Sequence, residues 1–108
     1  MSQPLAAGQV VTVFRNRLRP DADAYEVGYS ADAARMWELA SSLPGFVDAK
    51  VFTADDGERV NVVTFADEAS QRAWREHPEH RAAQRRGVAG YYETYSIQVA
   101  TVSYVSSA

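Results

Sequence analysis

The sequence predicts an α+β fold, a single antiparallel sheet covered on one face by helices. Three observations carry that expectation. Four segments, residues 9–18, 46–53, 59–65 and 91–105, alternate side chains with the period of two that a strand requires. The middle pair is joined by Ala54-Asp55-Asp56-Gly57-Glu58, whose Asp-Gly step and shortness call for a hairpin and so for antiparallel pairing. The two remaining intervals carry apolar residues at helical rather than strand spacing.

Taken in order, the first strand runs from Gln9 to Leu18 and has two usable faces. Val11, Val13 and Arg15 share one; Val10, Thr12, Phe14, Asn16 and Leu18 share the other. Pro20 stops it, and Asp21 or Asp23 can cap a helix expected from about Ala22 to Ser42. That helix presents Tyr25, Tyr29, Ala33, Met36, Leu39, Ala40 and Leu43 as one stripe, with Trp37 at its edge. Gly28 is its weak point, costing about 1 kcal/mol against alanine. Leu43-Pro44-Gly45-Phe46 breaks the helix and starts the second strand, with Val47, Ala49 and Val51 on one face and Phe46, Asp48, Lys50 and Phe52 on the other. After the third strand, Asp67 caps a short helix carrying Ala69, Ala73 and Trp74. His77-Pro78 interrupts it, and Pro78 suits the first position of a further helix reaching about Arg86. Gly87 and Gly90 end that helix, and the long fourth strand follows, with Tyr95, Ile97, Val99 and Thr101 on one face.

The order β-α-β-β-α-α-β is a split βαβ arrangement, the ferredoxin-like plan. A chain of 108 residues is one domain by length, expected over residues 9–105, with 1–8 as a flexible lead and 106–108 as a frayed tail. The strands have apolar residues on both faces while the helices cover one. Val11, Val13, Val47 and Val51 would be left exposed, so a homodimer through the sheet faces is expected.

Composition narrows the function. A net charge of −3 offers no field for nucleic acid or acidic membranes. The absence of cysteine excludes disulfides, thiolate metal sites and cysteine nucleophiles. The start, MSQPLAAGQV, lacks the basic and apolar regions of a signal peptide, and no run approaches the roughly twenty apolar residues of a membrane span, so a cytoplasmic protein is expected. There is no glycine-rich phosphate loop, dinucleotide fingerprint, histidine–carboxylate cluster at metal spacing, or serine or threonine in a nucleophile motif. Without a cofactor site, an oxidation would have to draw its electrons from the substrate. That suits an electron-rich phenol or quinol, whose deprotonated form can pass an electron to dioxygen.

The chemistry-bearing residues concentrate in AWREHPEHRAAQRRG, residues 73–87, which holds both histidines and one of two tryptophans. Trp74 on a short helix is by default a core aromatic, but in a pocket its ring stacks on a flat ligand. His77 suits a helix cap. His80, Gln84 and Gly87 fall four and three apart and share a helix face, where Gly87 leaves room and a near-neutral His80 could accept a phenolic proton. The arginines at 72, 75, 81, 85 and 86 alternate with Glu76 and Glu79, the pattern of a solvated, ion-paired surface. Asn16 points under the helices, where a buried amide must find a hydrogen bond, to nearby backbone or to a ligand. Tyr29 is the tyrosine of the first helix chosen as pocket-lining.

The β-α-β-β-α-α-β order, the LPGF link, and W-x3-P-x-HRAAQ at Trp74–Gln84 resemble the antibiotic biosynthesis monooxygenase (ABM) family over about residues 9–104. The resemblance implies a small dimeric α/β barrel of ferredoxin-like fold, with a pocket between the helices and the covered sheet face. It implies a cofactor-independent monooxygenase acting on a small aromatic or polyketide-type phenol or quinol, with Asn16 and Trp74 as its functional signature; the residue pattern adds His80 as a third catalytic candidate and Phe14, Tyr29 and Gln84 as substrate-binding ones. In the heme-degrading branch the asparagine lies within N-R-L on the first strand, which Asn16-Arg17-Leu18 reproduces. That branch also uses an axial histidine ten residues after the tryptophan, where this chain has Gln84, a poor ligand for heme iron. Heme is thus possible but disfavoured. A non-oxidative isomerase or cyclase of polyketide-like intermediates, and a non-catalytic small-molecule-binding dimer, are the alternatives.

Overall fold

The computed structural model describes residues 4–108, so positions 1–3 of the expected lead lie outside it. Four strands, β1 (Val10–Leu18), β2 (Phe46–Thr53), β3 (Arg59–Phe65) and β4 (Tyr92–Thr101), form one sheet in the order β2-β3-β1-β4, every neighbouring pair antiparallel. Helices α1 (Tyr29–Ser42), α2 (Glu68–Arg75) and α3 (Pro78–Arg86) lie on one face. This is the α+β, ferredoxin-like plan that the element order predicts. No described helix is long and apolar enough to cross a membrane.

The covered face is identified by a cross-layer bond, Gln71 Nε2 on α2 donating to Thr12 Oγ1 on β1. By register, Val10, Phe14 and Asn16 share the side of Thr12, as do Arg59, Asn61, Val63 and Phe65 opposite them on β3. The core is compact: Leu39 and Ala40 of α1, Phe65 of β3 and Trp74 of α2, with Met36, Leu43, Phe46 and Val63 packed against them. Phe65 is wholly buried and meets Phe46 edge-on at 5.8 Å, an arrangement that ring quadrupoles favour.

Local signals set several element ends. Asp67 accepts a bond from the Ser70 backbone N–H at 2.8 Å, and Ser70 Oγ accepts from the Asp67 N–H, a reciprocal cap worth about 1 kcal/mol. His77 caps α3, its Nδ1 accepting from the Glu79 N–H at 3.1 Å, with Pro78 as first helical residue. At the LPGF link Gly45 takes φ +84 and lies so close to Ser70 that a Cβ would fall 2.5 Å from its side chain.

Four expectations shift. The first helix is not continuous from Ala22: a single 3-10 turn at Ala22–Ala24 is followed by a break in which Glu26 and Gly28 both have positive φ, and α1 begins at Tyr29. Asp23 caps it from outside, accepting from the Ser30 N–H at 2.6 Å. A bulge at Val47 shifts the β2 register between Phe46 and Asp48. Phe46 therefore sits in the core while Asp48, Lys50 and Phe52 face away. Val47 is 2% exposed and Val51 lies on the helix side opposite Asn61, so neither joins Val11 and Val13 on the open face. Gly87 caps the end of α3 as expected, but the chain goes on through one π-helical turn, Gly87–Tyr91, and β4 spans Tyr92–Thr101 rather than 91–105. Finally, residues 4–8 of the expected lead are exposed but tied down. The Gly8 N–H donates to the Val102 carbonyl, and the buried Gln9 side chain bonds Pro4 and Ala6.

Candidate functional site

Asn16 is the centre of the helix-covered face toward its β4 end. It is 1% exposed, and neither Nδ2 nor Oδ1 has a hydrogen-bond partner within the protein. An unpartnered buried amide costs on the order of 1–3 kcal/mol, so the backbone-bonding alternative does not describe this residue. Arg59 of β3 stands directly opposite it on one side and Tyr95 of β4 on the other. Phe14, two residues earlier on the same face, meets Tyr92 edge-on at 5.1 Å and Tyr95 at 6.2 Å. Tyr29, the first residue of α1, meets Tyr92 edge-on at 6.1 Å and carries the Arg59 guanidinium 5.1 Å above its ring. The sealed amide thus sits within an aromatic frame of Phe14, Tyr29, Tyr92 and Tyr95. Burial pushes the Tyr29 and Tyr92 hydroxyls above the ordinary tyrosine range, and the Arg59 charge partly opposes this at both.

Trp74 and His80 form a second group. The two rings stack almost parallel, 13° apart with centroids at 3.6 Å, and His80 Nδ1 lies 3.0 Å from the Trp74 carbonyl oxygen. Trp74 is 7% exposed and also lies in stacked orientation on Phe65. Burial drives the imidazole pKa down to about 4, against a smaller upward pull from the Trp74 carbonyl, so the ring is neutral at pH 7. Gln84, one turn further along α3, is half-buried. Room beside Gly87, foreseen for a ligand, is taken by Tyr92: a Cβ there would fall 2.4 Å from its ring.

The two groups are not adjacent. Phe65, against which Trp74 stacks, pairs with Val10, six positions along β1 from Asn16 and so about 20 Å away. Between them the same face carries two further amides with an open valence, Asn61 Oδ1 and Gln71 Oε1. Neither was foreseen. A lone asparagine in Val60-Asn61-Val62 was the visible signal, since an amide within an apolar strand needs a reason.

The frame is braced by a buried ion pair. Arg86 of α3 donates from Nε and Nη2 to both Asp32 carboxylate oxygens of α1, at 2.6 and 2.8 Å, and the Tyr91 hydroxyl donates to the same carboxylate at 2.7 Å. The Arg86 bond holds the Asp32 pKa below the usual carboxylate range despite burial. Burial, then the carboxylate, push the Tyr91 hydroxyl up to about 12. Tyr91 in turn meets Tyr25 and Tyr29 edge-on.

On the opposite, uncovered face lies a groove of about 400 Å³ lined chiefly by Val11, Phe52, Val62, Val102 and Tyr104. No cluster of three or more histidine, cysteine or acidic residues able to hold a metal occurs among the described residues.

A family model described as antibiotic biosynthesis monooxygenase matches residues 10–86. The uncharacterized protein YqjZ of Bacillus subtilis (strain 168) is 35% identical over 77 residues, which make up 71% of this chain and 68% of that protein. SnoaB, a cofactor-independent oxygenase from Streptomyces nogalater, superposes with a TM-score of 0.73 at 21% identity, covering 92% of this chain and 97% of SnoaB. Rv0793 from Mycobacterium tuberculosis does so with a TM-score of 0.73 at 17% identity, covering 93% and 98%. At these identities the two solved structures speak for the fold alone.

Proposed function

This chain belongs to the antibiotic biosynthesis monooxygenase family, and on that premise we propose that it is a cofactor-independent monooxygenase of small electron-rich phenols or quinols. The observation that carries the reading is Asn16, a sealed amide with both of its polar atoms unpartnered inside an aromatic frame. A flat phenol reaches Asn16 only when these rings, in contact at 5.1 and 6.2 Å, part to admit it, and Asn16 Nδ2 then can donate to its oxygen as negative charge gathers there. Stabilising that charge favours the phenolate, the form that gives an electron to dioxygen. The overall change balances without a further reductant. A ring C–H para to the phenol oxygen takes up O2 and becomes C=O while the phenol C–OH also becomes C=O, giving a quinone. One oxygen atom stays in the new carbonyl, and the other leaves as water with the former ring hydrogen and the former hydroxyl hydrogen.

Phe14 and Tyr29 bracket the ring in this reading, and Gln84 supplies a polar group from α3. Trp74, on a part of the covered face remote from Asn16, packs the core against Phe65 and is locked by its stack on His80. The base role foreseen for His80 is withdrawn. An imidazole with pKa about 4 lies roughly six pH units below a phenol, so proton transfer to it is steeply uphill. The same reading includes a homodimer through the uncovered sheet face, supported by the apolar groove there.

Oxygen uptake on adding a quinol series is the test. Turnover that falls at least tenfold in Asn16→Ala, with folding intact by circular dichroism, is the expected result. Conversion of a ligand without oxygen consumption would transfer the site to the isomerase or cyclase reading.

A further inference from the structure

Most cations of this chain are either paired or exposed. Arg15 and Arg17 bond Glu58 and Asp56, Arg35 bonds Glu38 and Glu79, Arg72 bonds Glu68 and Arg86 bonds Asp32. Arg75, Arg81 and Arg85 are exposed on the helices. Arg59 is different. It is half-buried, its register puts it on the helix-covered side, and among the described residues it makes neither an ion pair nor a side-chain hydrogen bond. Its guanidinium rests only on the Tyr29 ring, 5.1 Å from the centroid, a weak contact at such a partly exposed site. The nearest acids in sequence, Glu58 and Asp56, are already held by Arg15 and Arg17.

The second observation is independent of the first. Directly across the strand pair lies Asn16, sealed from solvent and unpartnered at both polar atoms. A half-buried cation without a counter-charge and a buried amide without a partner each forfeit what water would have supplied. One incoming group satisfies both: a planar oxyanion. The guanidinium fork engages two carboxylate oxygens side by side, which an ammonium cannot do, and Asn16 Nδ2 can donate to the same group. On the other side of Asn16 in the same cross-strand row, Tyr95 is 50% exposed at the sheet edge, where a flat apolar body can enter beside Phe14.

We infer that Arg59 and Asn16 form an oxyanion-binding corner that selects aromatic substrates bearing a carboxylate. The inference rests on the aromatic frame around Asn16 being the substrate site, and it adds the charge of the substrate and the residue that reads it. Arg59 is the specificity-determining residue, and the chemistry takes place elsewhere on the ring.

The test is calorimetric titration of the full chain with 1-hydroxy-2-naphthoate and with its neutral isostere, 1-hydroxy-2-naphthamide. The acid should bind at least about tenfold tighter than the amide. Arg59→Gln should bring the two within about twofold of each other by weakening the acid alone, and Arg59→Lys should fall between, since it keeps the charge and loses the fork. Equal binding of acid and amide to the unmodified protein, or a preference that survives in Arg59→Gln, overturns the inference. So does failure of the acid to bind at millimolar concentration, or loss of both ligands in Arg59→Gln, which would make Arg59 a structural support. Oxygen consumption plays no part in this readout. A protein that prefers the acid but consumes no dioxygen with any quinol refutes the oxygenase reading and leaves the corner standing.

Discussion

Acidification from pH 7 to pH 5 should destabilise this protein through one residue, His80. In the unfolded chain its imidazole titrates near the ordinary value of about 6.5. In the folded chain burial against Trp74 holds it near 4. The folded pKa is depressed, and the charged form of a base is the one that burial disfavours. Stability is therefore undiminished above about pH 6.5 and falls as pH drops toward 4, because the unfolded state takes up a proton that the native state refuses. At pH 5 the two states differ in proton binding by a factor of about 30, or about 2 kcal/mol; a ring partly open to solvent keeps about 1–2 kcal/mol of that. Urea unfolding followed by tryptophan fluorescence, at fixed protein concentration, should show the midpoint falling by about 0.5–1 M between pH 7 and 5. His80→Phe keeps a flat ring on Trp74 and removes the titration, so its midpoint should stay level over the same range. The carboxylates held below their ordinary range, Asp23, Asp32, Asp56, Asp67 and Glu79, do not confuse the result. Their stabilisation is present above the unfolded carboxylate pKa of about 4 and is lost only below it. Parallel pH dependence in the two proteins, or an imidazole pKa of 6–7 by nuclear magnetic resonance in the native state, would refute the reasoning.

Two further predictions follow from the packing. Asp32→Asn removes the charge that Arg86 and Tyr91 share; with Arg86 only a quarter exposed, the loss should approach about 3 kcal/mol and lower Tm by at least about 10 °C in a calorimetric scan. Phe52→Asp places a charge on the groove of the uncovered sheet face, where the wild-type side chain is 55% exposed; if the proposed dimer forms through that face, sedimentation should show two-chain particles for the wild type and single chains for the variant, without loss of helical circular dichroism.

The sequence and the tertiary structure divide the work along a physical line. Alternation alone marks four strands because a pleated chain exposes successive side chains to opposite faces. Asp67 with Ser70, and His77 with Pro78, mark helix starts because a cap needs only neighbours within three residues. The element order then limits the topology to very few sheets, and with it places Asn16 beneath the helices. The family motif names Trp74 on the same basis. What the chain's local pattern could not hold is whatever depends on partners far along it. The bulge that returns Phe46 to the core depends on β3, and Asp32 looks like an ordinary surface acid until Arg86, 54 residues on, closes against it. Room beside Gly87 vanishes once Tyr92 folds over it, and a histidine with an ordinary sequence environment becomes a neutral one when buried against Trp74. Arg59 is one more solvated cation in a linear reading. Only the sheet register sets it across from a sealed amide, because unpaired charge and unmet hydrogen bonds are properties of an environment, and an environment is assembled from residues that the sequence keeps apart.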